Sequence, residues 1–175
     1  PFKMTDQEPN KDRLLIVEDD ADLRSQLKWG LSRDYQVFTA EDASSAIEIF
    51  QKHAPLATTL DLGLPPQPQG VEDGFRVLNK LLSLDPLSKV IIVTGRGEKE
   101  HALAAIEQGA YDYLTKPVDV DELQVILRRA FHVARLEREN RKLQQPAGSE
   151  AFEEMLGTSP QIQNVFEMIR KLATA

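Results

Sequence analysis

Three acidic side chains stand together at Glu18-Asp19-Asp20, directly after the apolar run Leu14-Leu15-Ile16-Val17, and a fourth, Asp61, follows the run Leu56 to Leu60. Asp20, ahead of Ala21-Asp22-Leu23, has the type and place of a helix N-cap. If Glu18, Asp19 and Asp61 are brought into one crevice, they repel one another, and their pKa values rise unless a cation intervenes. A hard divalent ion, Mg²⁺ or Mn²⁺, resolves this, because it takes carboxylate oxygens and keeps several waters. Two further groups follow later runs. Thr94-Gly95 ends Val90-Ile91-Ile92-Val93, and Thr115-Lys116-Pro117 follows Tyr111-Asp112-Tyr113-Leu114. A carboxylate poised by a divalent ion beside a hydroxyl and an ammonium has the parts needed to accept a phosphoryl group. Asp61 is then the nucleophile, and catalysis is positioning and charge neutralisation. One Asp after a strand is a common turn residue and Lys-Pro a common approach to a helix; the joint placement on successive runs carries the reading.

The runs that must position these groups are short, rich in β-branched residues and separated by stretches of helical period. Leu14–Val17, Tyr35–Phe38, Leu56–Leu60, Val90–Val93 and Tyr111–Leu114 read as five strands. Leu23, Leu27 and Leu31 follow helical spacing, as do Ala43, Ala46, Ile47 and Phe50, then Phe75, Leu78, Leu81 and Leu82, then Leu103, Ala104 and Ile106. Glu41 and Asp42 are expected in the first turn of the second helix, and Gly109 at the C-cap of the fourth. Near-continuous apolar strands alternating with helices predict an α/β domain, a doubly wound five-stranded parallel sheet buried on both faces. Its ligand site lies beyond the carboxyl ends of the strands, near the switch in strand order. His53, His101 and His132 are expected at the surface, and Trp29 against the core or its edge.

Composition bounds the alternatives. With no cysteine in 175 residues, disulfides, thiol catalysis and cysteine-ligated zinc are excluded, and three scattered histidines leave little for a His-based metal site. No apolar run approaches the ~18 residues that would span a bilayer. The net charge of −7 is uneven: residues 128–145 carry six basic groups against two acidic ones. Those basic groups fall in a fifth helix that starts near Asp119 and meets no breaker before Pro146. Val133, Leu136, Asn140 and Leu143 step by three, four and three, an a/d seam with Asn at an a position. A solvated linker, a short parallel dimeric coiled coil and a basic DNA-binding helix all remain open there, although the basic groups surround the helix and no helix-turn-helix follows. Residues 1–11 are expected to be a loose leader with a tag remnant ahead of Met4. Residues 12–133 form the domain, 134–146 the helical linker, and 147–175 a linker followed by a helix opened by Ser159-Pro160.

Leu14-Leu15-Ile16-Val17-Glu18-Asp19-Asp20, Leu60-Asp61-Leu62-Gly63-Leu64-Pro65, Val93-Thr94-Gly95 and Tyr113-Leu114-Thr115-Lys116-Pro117 together resemble the receiver domain of two-component response regulators. The resemblance covers residues 12–133 and implies a flavodoxin-like fold and a cytoplasmic regulatory protein rather than an enzyme. It implies that Asp61 takes phosphate from a phosphohistidine on a sensor histidine kinase. Asp19, Asp61 and the Gly63 carbonyl would bind Mg²⁺ directly, and Glu18 mostly through water. Lys116 would pair with the phosphoryl group, Thr94 would bond one of its oxygens, and Tyr113 would swing inward with Thr94. A homodimer would form through the helix 4, strand 5, helix 5 face and the helical linker. Glu18 stands where the family more often has Asp, and the loop Pro65 to Gly74 is about five residues longer than the usual turn. That loop would shape kinase choice or slow water attack, or is a tolerated insertion.

The tail, with Met155-Leu156-Gly157-Thr158-Ser159-Pro160 and Ile169-Arg170-Lys171-Leu172-Ala173, looks like the entry to the AAA+ ATPase domain of sigma-54-dependent activators of the nitrogen-regulator type. Sigma-54 RNA polymerase and DNA would then be met only through domains outside these residues. No GxxxxGK[ST] loop occurs in the sequence, and in Gly95-Arg96-Gly97 the third glycine position of a dinucleotide motif is Glu100. Ser25 to Ser32 together with Asp61 to Pro66 is similar to the PEP-CTERM-box response regulators of exopolysaccharide-producing bacteria. Two alternatives stand beside this reading. One is a constitutive dimerisation module with an inactive acidic pocket. The other is a haloacid-dehalogenase-like phosphatase, which needs a second acid two residues after the nucleophile, where this chain has Gly63.

Overall fold

The computed structural model describes residues 11–65 and 71–144. The expected leader up to residue 10, the middle of the Pro-rich loop, the linker from residue 145 and the final helix lie outside the described residues. Five strands and five helices alternate: β1 (Arg13–Val17), α1 (Ala21–Leu31), β2 (Gln36–Ala40), α2 (Ala43–His53), β3 (Ala57–Asp61), α3 (Glu72–Leu84), β4 (Lys89–Thr94), α4 (Lys99–Glu107), β5 (Asp112–Thr115) and α5 (Val120–Gln144). All strand pairs are parallel, in the order β2-β1-β3-β4-β5. The order reverses between β1 and β3, so the crevice of such a sheet opens above those two strand ends. Asp61 and Thr94 are the last residues of their strands, as expected of functional residues in such a sheet.

The period of two along each strand divides the core. Leu14 and Ile16 of β1 pack with Leu27 and Leu31 of α1 and with Leu123, Ile126, Leu127, Ala130 and Phe131 of α5. Leu15 and Val17 face the other way, with Ala46 and Phe50 of α2, Val77, Leu78 and Leu81 of α3, and Ala105 of α4. Each fully buried Leu, Ile or Val side chain contributes about 1.5–3 kcal/mol. Trp29 does not join either layer. It is 87% exposed, because two residues from Leu27 and Leu31 is about 200° around the helix, opposite the buried stripe. His53 is half-buried, its ring stacked on Phe38 at 3.9 Å, while His101 and His132 are exposed. Asp42 is the N-cap of α2, with its carboxylate accepting from the Ser45 amide at 2.7 Å, so Glu41 and Asp42 precede the helix instead of forming its first turn. Gly109 follows the end of α4 with φ +106°, the conformation that glycine tolerates there.

The compact unit takes in α5 as far as Glu137. Ala134 is buried, Glu137 pairs with Lys89 at the start of β4, and Arg135 pairs with Asp12 ahead of β1. These ion pairs hold α5 to the edge of the sheet remote from the strand C-termini.

Gly74, in the first turn of α3, lets that helix approach the chain just after β3. A Cβ at residue 74 would lie 2.5 Å from both Cα and the carbonyl oxygen of Leu62, backbone atoms that cannot turn aside. The fit brings α3 close behind Asp61 and Gly63. Gly74→Ala is therefore expected to destabilise the domain by about 1–3 kcal/mol, the usual cost of overpacking. Urea denaturation measures this, and an unchanged midpoint would show that the close approach is not needed.

Candidate functional site

The acidic turn after β1 is held by backbone bonds before any side chain is considered. The Glu18 amide donates to the Ala40 carbonyl at 3.0 Å, extending the β1–β2 ladder by one residue. Asp20 then caps α1, its Oδ1 accepting from the amides of Asp22 and Leu23 at 2.9 Å each. Those bonds to the charged form hold its carboxyl below the ordinary range, the Leu23 amide foremost. Arg24, one turn into α1, donates to the Glu18 carbonyl at 2.7 Å and the Asp19 carbonyl at 3.1 Å. The turn is thereby fixed with the Glu18 side chain inward, 2% exposed, and Asp19 half-buried.

Asp61 enters the same crevice from β3 and is 6% exposed. Its Oδ1 accepts the Gly63 amide at 2.9 Å, and its Oδ2 accepts Lys116 Nζ at 2.9 Å. Lys116 also donates to Glu18 Oε1 at 3.1 Å, so one ammonium bridges the ends of β1 and β3 from the segment after β5. Glu18, Asp19 and Asp61 each offer an oxygen within 4.8 Å of the others. Lys116 is itself positioned by its backbone, whose amide donates to the Thr94 carbonyl at 2.7 Å. The sequence-predicted Glu18, Asp19, Asp61 and Lys116 are thus brought together. Gly63 joins them through its amide hydrogen.

Thr94, wholly buried at the end of β4, is turned to a different partner. Its hydroxyl donates to Glu98 Oε2 at 2.8 Å, and the Gly95 amide donates to the same oxygen at 2.9 Å. Tyr113 on β5 is half-buried against the layer formed by α2, α3 and α4. Val133, Leu136, Asn140 and Leu143 all lie on α5; Val133 is half-buried, Leu136 is 50% exposed and Leu143 is 83% exposed. Sequence reasoning missed Glu98 and Arg24. The signal for Glu98 was an acid four residues after the hydroxyl, with two glycines between them.

The electrostatics follow from burial and crowding. Glu18 is raised from 4.5 to about 7, first because burial disfavours its charge and next because the Asp61 carboxylate repels it; Lys116 offsets only part of this. For Lys116, burial disfavours the charge, but its hydrogen bond and attraction to Asp61, reinforced by Glu18, raise it above the ordinary lysine value. One ammonium among three carboxylates leaves a negative surplus. An all-oxygen donor set with one carboxyl still reluctant to ionise fits a hard divalent cation.

A family described as the response regulator receiver domain matches residues 14–128. Among curated proteins, the chain is 38% identical over 135 residues to the nitrogen assimilation regulatory protein NtrX of Azorhizobium caulinodans, covering 75% of this chain and 29% of that protein. It is 28% identical over 168 residues to the DNA-binding transcriptional regulator NtrC of Proteus hauseri, covering 93% and 33%. Among solved structures, the receiver domain of NtrX from Brucella abortus aligns with TM-score 0.63 and 32% identity, over 68% of this chain and 98% of that one. The chain spans about a quarter to a third of the length of the curated relatives it matches.

The raised Glu18 carboxyl gives the site a pH signature. A group whose folded pKa lies above its unfolded value contributes stability that is complete below the unfolded value, near pH 4.5, and is lost as pH rises through about 7. In chelator, wild type should therefore lose on the order of 2–3 kcal/mol more than Glu18→Gln between pH 5 and 8. Mg²⁺, which needs the ionised carboxylates, should raise the melting temperature of wild type more at pH 8 than at pH 6. Thermal melts at both pH values check this; parallel pH profiles for wild type and Glu18→Gln would refute it.

Proposed function

The chain belongs to the response regulator receiver family, and on that premise we propose that Asp61 accepts a phosphoryl group from a phosphohistidine of a sensor histidine kinase. The bond from phosphorus to the imidazole nitrogen breaks as one to an Asp61 carboxylate oxygen forms. The observation that carries this reading is the buried Asp61 with Lys116 Nζ at 2.9 Å, an ammonium placed where the oxygens of the transferring group would develop charge. Glu18, Asp19, Asp61 and the Gly63 carbonyl are the residues that would hold Mg²⁺ or Mn²⁺. Such an ion, when bound, supplies neutralisation of charge on the transferring oxygens. Thr94 would donate its hydroxyl to a phosphoryl oxygen, and Tyr113 would move inward with it.

The output is carried by the face of α4, β5 and α5. Leu103 on α4 and Val125 on α5 are each 47% exposed, and Arg129, one turn on from Val125, pairs with Asp112 of β5 at 3.2 Å. Phosphorylation biases arrangements of this face that the protein already samples, and thereby homodimerisation. Val133, Leu136, Asn140 and Leu143 extend the pairing along α5 as a parallel seam. The exposure of Leu136 and Leu143 on the otherwise polar stretch 135–144 of α5 supports it. The likeness to NtrX and NtrC supports a cytoplasmic regulatory module that governs an AAA+ activator of sigma-54 RNA polymerase, with polymerase and DNA contacted by other domains. A phosphatase of the haloacid-dehalogenase kind has no support, since the residue two past Asp61 is Gly63.

Incubation with acetyl phosphate and Mg²⁺ should add one phosphoryl group to wild type by mass spectrometry and none to Asp61→Asn. Equal labelling of both would remove Asp61 from its role. For the seam, Asn140→Leu should broaden the dimer to a mixture with higher oligomers in light scattering, because the buried Asn pair limits the coil to two strands. Monomers before and after substitution would eliminate it.

A further inference from the structure

Glu98 lies outside the acidic crevice, yet its carboxylate holds the hydroxyl that the phosphoryl group would need. Thr94 Oγ1 donates to Glu98 Oε2 at 2.8 Å and the Gly95 amide donates to the same atom at 2.9 Å. The turn between them is built for that contact. Gly97 adopts φ +85°, which favours glycine, and Gly95 leaves room for the carboxylate; a Cβ there would stand 3.2 Å from Oε2. Glu98 is also the residue that opens α4, its carbonyl accepting the Ala102 amide at 3.2 Å.

We propose that Glu98 is a positioning residue that sets how readily Asp61 is switched, by holding Thr94 in the unphosphorylated arrangement. This rests on the receiver reading given above. A hydroxyl has one proton to donate, so the bond to Glu98 and a bond to a phosphoryl oxygen exclude each other. Phosphorylation must displace the carboxylate, and displacing Glu98 moves the first turn of α4. The same contact therefore opposes the switch and relays it. A hydrogen bond to a carboxylate is roughly twice as strong as one between neutral groups, so removing the charge releases Thr94 at little steric cost.

Beryllofluoride with Mg²⁺, titrated into the 175-residue chain and followed by fluorine NMR, tests this. Glu98→Gln should bind about tenfold more tightly than wild type, the gain expected from weakening one charge-assisted bond. Gly95→Ala, whose Cβ crowds the carboxylate, should shift affinity in the same direction. In a Thr94→Ala background the Glu98→Gln gain should fall below about twofold, since the effect acts through the hydroxyl. Affinity unchanged or weaker in Glu98→Gln, or the same gain with Thr94 absent, overturns the proposal. If wild type itself binds no beryllofluoride, the receiver reading fails and the role of Glu98 falls with it.

Discussion

Three carboxylates crowd the ends of two adjacent strands, and the ammonium of Lys116 bridges two of them. Its contacts with Asp61 and Glu18, at 2.9 and 3.1 Å, join the ends of β1 and β3 to the segment after β5. Burial first, and repulsion from Asp61 next, raise the Glu18 carboxyl to about 7, and the one ammonium offsets only part of this. The same crowding is a local cost to stability and gives an oxygen donor set that fits a hard divalent ion.

The rest of the fold serves to keep that crowding in place. Parallel strands bring their C-terminal ends to one edge, and helices on both faces bury β1, β3 and β4 along most of their length. The Ala40 carbonyl and Arg24 fix the acidic turn from one side. On the other, Gly74 brings α3 against the backbone of Leu62. The ion pairs of Lys89 with Glu137 and Arg135 with Asp12 tie α5 at the opposite edge of the sheet that carries the site.

A second chain of contacts leads outward. The Thr94 carbonyl accepts the Lys116 amide, while the Thr94 hydroxyl is taken by Glu98 at the start of α4. Thr94 therefore joins the charge cluster to the start of α4. Under the proposed function a phosphoryl oxygen would compete with the Glu98 carboxylate for its hydroxyl, and a group with one proton can satisfy only one of them.

Five alternating strands and helices were legible in the chain, because short β-branched apolar runs and stripes of period 3.6 are local properties. The sequence also determined which acids and which lysine end the strands, and so the chemistry of Glu18, Asp19, Asp61 and Lys116. Tertiary structure alone decided how those groups are shared. Lys116 reaches across from the segment after β5, and Asp61 closes its strand from within the ladder. Trp29 faces solvent because it lies opposite a stripe that the sheet, not the helix, selects. Arg24 and Glu98 were illegible for one reason: each acts through a bond whose partner depends on the direction of a turn, and hydrophobic period carries no information about that direction. The pairs of Glu137 with Lys89 and Arg135 with Asp12 are likewise long-range, and no local pattern encodes them.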